Sequence, residues 1–510
     1  MNRVAAAVAV AGAALGVALA GWYVLGGGTG EEEIPAKSLA ELRSGRDHLS
    51  LVISGRLLAE ILPCGCRTPR KGGIERRATA IREMLKKDPA TVVVDAGDSL
   101  VDTDAKRKSA IPELVRRKAE VMADFLKETA PAALALGDLD LLLGAGGAHD
   151  ILRSRGLRPV LSNLRAPGTP DLAVTEAKWT TSGWTFLAVT LHAEKPDSVS
   201  GEMEWRDPME ALDGALREAG PVDIVVICAH GFDDALARKV IQRPGLKILV
   251  DADGRVRLRS TSRTATTLIV RPPDKGAEMR TVDLWLRRGA TGWYPAERLE
   301  RMELGYPVDD GTGRFSTPEE ETAAANGAVI YGIGETALSG EFANDPALTE
   351  SIRAYEAWVR GDLREILAKR AAAAPADAVY RGAEACGACH ARELENWKTT
   401  YHAEAWRTLE NEPGGATQDA ECVSCHVSGF LLPGGPARIE DTGPFRGVQC
   451  ESCHVPAGVH PGGPKFGRVR ADGCTTCHST TRDPRFDFKA YLPYATCRAP
   501  RKPGENRVPR

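Results

Sequence analysis

Four copies of one pattern, Cys-x-x-Cys-His, hold the residues of this chain that are best suited to chemistry. The two thiols of such a pattern can bond to the two vinyl groups of one porphyrin, and the adjacent histidine can bind its iron. The cysteine pairs are Cys386 and Cys389, Cys422 and Cys425, Cys450 and Cys453, and Cys474 and Cys477. Zinc is the alternative, but zinc sites need no histidine directly after each second cysteine. The pattern therefore predicts four covalently bound haem c groups, with His390, His426, His454 and His478 as proximal iron ligands.

The sixth coordination position of each iron decides between electron transfer and chemistry. Only two further histidines follow residue 379, His402 and His460, and the last methionine of the chain is Met302. These two histidines are the candidate distal ligands. We therefore expect at least one haem with an open or weakly bound sixth position, unless a Lys, Tyr or Cys, or a histidine of the first part of the chain, supplies a ligand.

Other candidate residues lie in the first half of the chain. Asp98, Asp138 and His230 each follow an apolar run that predicts a buried strand, and they could hold one divalent metal. Cys64 and Cys66 form a Cys-x-Cys pair, which could be a strained disulfide, a redox-active pair or a metal-binding pair. Cys228 precedes His230, and its sulfur could approach the same place. Three isolated histidines, His48, His149 and His192, are expected to be structural or exposed.

The elements that position these residues alternate between apolar runs and amphipathic helices. Strands are predicted at 51–53, 91–94, 132–136, 222–227 and 246–250, and helices at 74–87 and 111–128. This order indicates a layered α/β fold with its chemistry at the carboxyl ends of the strands. Segments 267–270 and 281–285 are predicted to form a closing hairpin. Residues 309–340 are predicted as a surface connection, and residues 346–373 as one long helix.

The N-terminus predicts export. Arg3 precedes an uncharged, largely apolar run over residues 4–25, and three glutamates follow at 31–33. Residues 1–30 are therefore predicted to be a signal peptide or an uncleaved inner-membrane anchor, with the remainder facing the periplasm. The net charge of −3 gives no indication of a nucleic-acid partner.

Residues 48–303 resemble the calcineurin-like metallophosphatases in their 5′-nucleotidase branch. The resemblance rests on Gly72-Gly73-Ile74-Glu75-Arg76, on strand ends at Asp98 and at Asp138-Leu139-Asp140, and on His230-Gly231. It implies a four-layer α/β/β/α domain and, in active members, two metals around one bridging aspartate. Such a site needs carboxylate, imidazole and amide ligands around both ions.

The chain departs from that pattern at most ligand positions. Ser54-Gly55-Arg56 stands near the expected Asp-x-His, Leu139 replaces a histidine, and Asp251-Ala252-Asp253-Gly254 replaces Gly-His-x-His. Asp98, Asp138 and His230 then remain as a vestigial metal site. We expect no phosphoester hydrolysis.

Residues 379–510 are predicted to form a tetrahaem domain, and most of residues 380–480 resemble the tetrahaem cytochromes that accept electrons from hydroxylamine oxidoreductase. The resemblance rests on Cys386 to His402, on Gly447 to His454 with His460 following, and on the last Cys-x-x-Cys-His. It implies a mostly α-helical, haem-packed domain for periplasmic electron transfer. In related fused proteins a histidine follows a stretch like Phe486 to Pro493, whereas this chain has Cys497 there. Residues 304–378, with the helix at 346–373, connect the two domains.

Three functional hypotheses follow. The first is an exported tetrahaem cytochrome that relays electrons between redox partner proteins. The second is a multihaem oxidoreductase that acts on a small nitrogen, sulfur or oxygen compound at an open haem. The third is a metal-dependent phosphoesterase with an electron-transfer tail, against which the missing histidines count.

Overall fold

The structure is a computed structural model. It describes residues 37–64, 71–106, 111–199, 201–258, 265–309, 313–363, 365–366, 369, 379–412, 416–418, 420–454, 469, 471–478, 483 and 486–497. The apolar run at 4–25, Cys66 and His460 lie outside these residues, and so does the side chain of Cys64. None of the helices in the described part of the chain has the length and apolar content needed to cross a membrane.

Two main sheets form the first region. The strands are β1 (Asp47–Ser54), β2 (Pro63–Cys64), β3 (Lys71–Gly72), β4 (Val92–Asp95), β5 (Ala133–Leu134), β6 (Leu164–Arg165), β7 (Ala177–Thr181), β8 (Trp184–His192), β9 (Glu204–Trp205), β10 (Ile224–His230), β11 (Leu246–Asp251), β12 (Thr267–Val270), β13 (Glu278–Leu286), β14 (Trp293–Pro295) and β15 (Val329–Ala337). One sheet has the order β14-β15-β13-β1-β4-β5 and the other β12-β11-β10-β8-β7. Strands β8, β10, β11 and β12 are parallel, which brings their carboxyl ends to one edge.

Helices cover the outer faces of both sheets. Those of the first region are α1 (Leu39–Arg43), α2 (Ile74–Lys87), α3 (Pro112–Thr129), α4 (Gly144–Arg153), α5 (Pro208–Glu218), α6 (Asp234–Ile241), α7 (Ala296–Glu303), α8 (Pro318–Asn326) and α9 (Pro346–Trp358). Short 3₁₀ turns stand at 103–106, 140–143, 197–199 and 274–276. Helices such as α2, α3 and α5 each have one apolar face that is buried in the core.

Three apolar clusters establish the layer order. Leu51 and Ile53 of β1 pack against Phe186 and Val226 of the other sheet, in a cluster between the sheets. Val52, which points the opposite way because side chains alternate along a strand, packs with α2, α3 and α4. A third cluster joins the far face of the second sheet to α5 and α6. The region is therefore an α/β/β/α sandwich, which confirms the predicted fold class.

Two predictions for this region were wrong. Segments 267–270 and 281–285 do not form a hairpin, because β12 pairs with β11 in one sheet and β13 pairs with β1 and β15 in the other. Residues 309–340 are also not simply a surface connection. They contain α8 and the nine-residue strand β15, which pairs with β13 over eight positions, so the first sheet extends beyond residue 303.

The predicted helix at 346–373 is shorter in its regular part. Helix α9 ends at Trp358, and a π-helical turn follows at Val359–Leu363. The apolar face of α9 packs on α3 of the first region, where Ile352 and Tyr355 are buried. Leu363 and Ile111 form a small cluster that Leu431 and Ala437 of the last region also contact.

The described part of the last region is helical. Its helices are α10 (Ala383–Gly387), α11 (Ala391–Lys398), α12 (Ala405–Glu410), α13 (Ala420–His426), α14 (Cys450–Cys453), α15 (Ala471–Cys474) and α16 (Phe488–Ala495), with 3₁₀ turns at 416–418 and 439–445. Among its described residues, one cluster of six buried apolar side chains forms the core: Trp406, Leu409, Ala416, Val423, Val427 and Phe430. The mostly α prediction for this region is confirmed.

Candidate haem and metal sites

Each Cys-x-x-Cys-His pattern forms one helical turn. The backbone N–H of His390, His454 and His478 donates to the carbonyl of the first cysteine of the same motif, at 2.9, 2.8 and 2.9 Å. The second motif lies within α13. A helical turn places side chains three residues apart on one face, so both thiols of a motif point to the same side. None of the eight motif cysteines is fully buried, an arrangement that suits attachment of a cofactor.

Two proximal histidines have their Nδ1 atoms directed at acceptors. His426 Nδ1 faces the backbone carbonyl of Ala405, and His478 Nδ1 lies 2.9 Å from Asp483 Oδ2. A metal-binding histidine commonly donates its second ring N–H to a carboxylate or carbonyl, which fixes the tautomer and leaves the other nitrogen for the metal. These contacts therefore fit haem iron bound through Nε2.

His402 lies opposite the fourth motif. The ring centroids of His402 and His478 are 6.3 Å apart. A metal bound to an imidazole nitrogen lies about 2 Å from that nitrogen, so two rings that share one metal have centroids roughly 6 Å apart. The distance is compatible with two ligands of one iron, and the distal role of His402 stays a prediction. His460, the other candidate, lies outside the described residues.

Backbone contacts bring the third motif against the first. Gly447 has a φ of 88°, and an added Cβ would lie 3.0 Å from the carbonyl oxygen of His402. The next residue, Val448, donates its N–H to that same carbonyl at 2.9 Å. Glu451, within the third motif, accepts from the N–H groups of Arg381 and Gly382 just before the first motif. Cys497, at the end of α16, contacts α11 through its carbonyl, which accepts from Asn396 at 2.9 Å.

A second group of residues lies where strands of the two sheets end. One ligand atom each of Asp98, His230 and Asp253 lie within 4.8 Å of one another. Asp98 and His230 are buried, with 2% and 1% of their surface exposed. Neither ring nitrogen of His230 has a hydrogen-bond partner among the described residues. A buried imidazole rarely goes unpaired, so these nitrogens point to a ligand.

Backbone strain and a glycine shape this cluster. Asp98 adopts a positive φ of 54°, and its Oδ1 accepts from the N–H of Leu139 at 2.9 Å. An added Cβ at Gly137 would lie 2.1 Å from that same Oδ1, so the position admits only glycine. Asp140 accepts from the N–H groups of Asp98 and Leu100 at 2.7 and 2.8 Å. The segment 137–140 therefore holds the backbone and the carboxylate of Asp98 in place.

The predicted ligand Asp138 occupies a different place. Its Oδ1 lies 2.8 Å from Nδ1 of His192, whose ring stacks on His230 with centroids 4.9 Å apart. Asp253 stands in the cluster instead. His192 is not an isolated histidine as predicted. It ends an apolar run just as His230 does, and this pattern could have indicated its place beside the cluster. The register pairs these two residues directly across β8 and β10.

Burial and neighbouring charges act in opposite directions on the pKa values of His230 and Asp98. Burial lowers its pKa, but Asp98, Asp253, Asp138 and Asp140 outweigh burial and raise the pKa above its usual value. Burial raises the pKa of Asp98, against the opposing effect of His230. Arg56 lies 3.6 Å from Asp253, in the place where the metallophosphatase pattern has a ligand histidine. A fixed guanidinium there disfavours a second cation.

Cys228 belongs to the core rather than to the cluster. Its side chain packs between the two sheets, and burial raises the pKa of the thiol to about 12. The thiol therefore stays protonated and is a poor metal ligand at neutral pH.

Comparison with known proteins agrees with this division. Residues 385–455 match the family described as cytochrome c554 and c-prime. Cytochrome c-554 of Nitrosomonas europaea is 39% identical over 127 residues, which cover 22% of this chain and 44% of that protein. The chain thus spans less than half the length of this curated relative. The similarity supports covalently bound haem c and electron transfer for this region.

Solved structures similar to the first region include phosphoesterases. A 5′-nucleotidase precursor from Thermus thermophilus is 16% identical with a TM-score of 0.43, over 61% of this chain and 59% of that one. The calcineurin-like phosphoesterase YfkN of Bacillus subtilis is 14% identical with a TM-score of 0.40, over 61% of this chain and 97% of that one.

Proposed function

We propose that this chain, whose C-terminal region is a cytochrome of the c554 type, is an exported four-haem protein that relays electrons between redox proteins. The observation that carries the proposal is the 6.3 Å spacing of His402 and His478, which suits two axial ligands of one iron. Bound haem supplies a one-electron carrier. The motif cysteines would hold it through thioether bonds, and Ala405 and Asp483 would orient His426 and His478 toward its iron.

The count of axial ligands also bears on the proposal. Six histidines after residue 379 face eight axial positions, and no methionine follows Met302. We therefore expect at least one high-spin haem beside low-spin centres that relay electrons. The partner proteins are unidentified donors and acceptors. Export is supported by the apolar run at 4–25, which would either be removed or anchor the chain to the membrane.

The decisive experiment measures haem content and spin state in the purified holoprotein. Mass spectrometry should show four haem additions, and bound zinc in their place would overturn the proposal. His402→Gly should convert one low-spin haem to high-spin while all four attachments persist. His149→Gln is the matched control, because this histidine lies in the first region, and it should leave the spectrum unchanged. Slow electron exchange with every small redox protein tested, together with turnover of a small substrate, would favour the enzyme hypothesis.

The export part of the proposal is tested separately. Fractionation of cells that produce the full chain should place haem-stained protein in the periplasm or on the periplasmic side of the inner membrane. N-terminal sequencing then distinguishes a cleaved signal peptide from an anchor. Haem-free chain in the cytoplasm would contradict export.

A second function is favoured by the nitrogens of His230, neither of which makes a hydrogen bond among the described residues. We propose that Asp98, His230 and Asp253 hold one divalent cation, and that the first region does not hydrolyse phosphoesters. Two carboxylates and one imidazole suit Mn²⁺ or Zn²⁺. Hydrolysis by this fold class would need a second ion, which the Arg56 guanidinium opposes.

The metal proposal is tested by elemental analysis and calorimetry of the holoprotein with Mn²⁺ and Zn²⁺. One ion per chain beyond haem iron is expected, and His230→Gln and Asp253→Asn should each weaken binding at least tenfold. His48→Gln, a half-exposed histidine of the same region, is the control. Equal binding by all variants would refute the site. Manganese-dependent phosphodiester hydrolysis that Asp98→Asn abolishes would refute the absence of hydrolase activity.

A further inference from the structure

The proximal histidine of the fourth motif has a different partner from that of the second. His478 Nδ1 faces the carboxylate of Asp483 at 2.9 Å, whereas His426 Nδ1 faces the neutral backbone carbonyl of Ala405. A carboxylate that accepts the ring N–H pulls the proton toward itself, which leaves the imidazole more electron-rich than a carbonyl does. A more electron-rich axial ligand stabilises ferric over ferrous iron.

The carboxylate is held in place by the C-terminal segment. The phenol of Tyr491 donates to Asp483 Oδ1 at 3.4 Å, and the backbone N–H of Phe486 donates to the Asp483 carbonyl at 3.0 Å. Tyr491 lies in α16, whose first turn is capped by the side chain of Asp487. The position of Asp483 is thus fixed by a helix as well as by its contact with His478.

Aromatic rings fix the orientation of His478 from its other sides. Phe486 stacks on the imidazole with centroids 4.7 Å apart and planes 16° apart. Tyr491 meets the same ring edge-on at 5.7 Å. The imidazole therefore cannot rotate away from Asp483 without losing both contacts.

We propose that Asp483 is a positioning residue that lowers the midpoint potential of the fourth haem relative to the second by making His478 the stronger electron donor. The proposal rests on the proposed function, since it assigns His478 to haem iron. It implies a direction for internal electron flow, because an electron moves favourably from a centre of low potential to one of higher potential.

The test is a spectroelectrochemical titration of the four-haem holoprotein. Asp483→Asn keeps an oxygen acceptor near His478 but removes its charge, and one midpoint potential should rise while the other three stay in place. The haem that shifts should be the one that His402→Gly converts to high-spin, because His402 and His478 share it. Asp441→Asn removes a charge from an exposed aspartate of the same region and should move no midpoint.

Tyr491→Phe provides a test of opposite sign. Without the hydrogen bond from the phenol, the Asp483 carboxylate becomes a stronger acceptor for the N–H of His478. The same midpoint potential should therefore fall, and by less than Asp483→Asn raises it. This variant also keeps the proposal testable if Asp483→Asn does not mature. Four haems with unchanged midpoints in both variants would refute the role of Asp483 and leave the electron-transfer function standing. Fewer than four haems in the wild-type protein would instead refute the proposed function.

Discussion

The two regions of the chain build their sites from opposite resources. In the first region, three apolar clusters fix the strands, and the strand ends bring Asp98, His230 and Asp253 together without any cofactor. In the last region, six buried apolar side chains form the described core, and the motif cysteines are at least partly accessible. A core of the size described contributes little to stability, so we expect haem to supply much of the apolar interior. We therefore expect the last region, unlike the first, to depend on its cofactor for folding.

The largest effect is expected from preventing haem attachment. Cys422→Ser with Cys425→Ser removes both thioether bonds beside Val423, which is central to the small core. We expect proteolysis of residues 379–497 to become faster by roughly an order of magnitude or more, because local opening is no longer opposed by the cofactor. The first region should keep its wild-type protection. Mass spectrometry of the fragments measures both rates, and equal protection of the last region would contradict the comparison.

The next effect concerns the first region alone. Glu321 is fully buried and accepts two hydrogen bonds of 2.8 Å from Arg298, together with one from Tyr294. Glu321→Gln should lower the free energy of unfolding by about 2–4 kcal/mol, because Arg298 loses its charged partner. Hydrogen exchange in β14, α7 and α8 measures the loss, and the haem spectrum should not change. Glu297→Gln, an exposed neighbour, is the control.

The same carboxylate predicts a pH dependence. Burial opposes its ionisation, but the hydrogen bonds from Arg298 and Tyr294 outweigh burial and lower the pKa from 4.5 to about 2. The stabilisation is therefore complete above about pH 4.5 and is lost as the pH falls toward 2. Wild-type protein should lose this increment across that window and the Glu321→Gln protein should not. Parallel losses in the two proteins would show that the carboxylate is not the cause.

Metal binding should weaken at low pH. The carboxylates around His230 raise its pKa, and a proton on the imidazole competes with the metal. Below that pKa, the affinity for Mn²⁺ should fall by up to about tenfold per pH unit. Calorimetry between neutral and mildly acidic pH measures the slope. An affinity that does not change with pH would exclude His230 as a ligand.

The smallest effect is expected at Cys228. Cys228→Ala removes one buried sulfur from the packing between the sheets, at a cost of about 1 kcal/mol. Metal affinity and haem spectra should stay at wild-type values, because the protonated thiol takes part in neither site. A loss of metal binding would show that the core and the cluster are less separate than the fold indicates.

Local and long-range features differ in how far the sequence predicts them. The haem attachment residues follow from one pentapeptide, and Asp98 and His230 follow from the ends of apolar strands. The strand β15 escaped prediction because it contains two glycines and an exposed Ile333, and because it pairs with a strand about 50 residues earlier. The predicted hairpin between 267–270 and 281–285 was wrong for a related reason. Pro272 and Pro273 indicate a bend between the two segments, but they do not determine which sheet each segment joins.

The local sequence also does not determine which carboxylate joins Asp98 and His230 in the cluster. Asp138 follows β5 of one sheet and Asp253 follows β11 of the other, and the contact of Asp138 with His192 shows which carboxylate turns away from His230. The place of each carboxylate depends on contacts between segments far apart in the chain, which local patterns in the sequence do not contain.

The opposition of His402 and His478 has a topological consequence. Ligation of one iron by both imidazoles would tie together residues 76 positions apart, from 402 to 478, and would enclose the second and third motifs in the loop. Such a staple restricts the unfolded chain as a disulfide does, and for a loop of this length the entropy removed is worth about 4 kcal/mol. Binding of the fourth haem would then close the loop between residues 402 and 478 of the last region after the other three haems are attached.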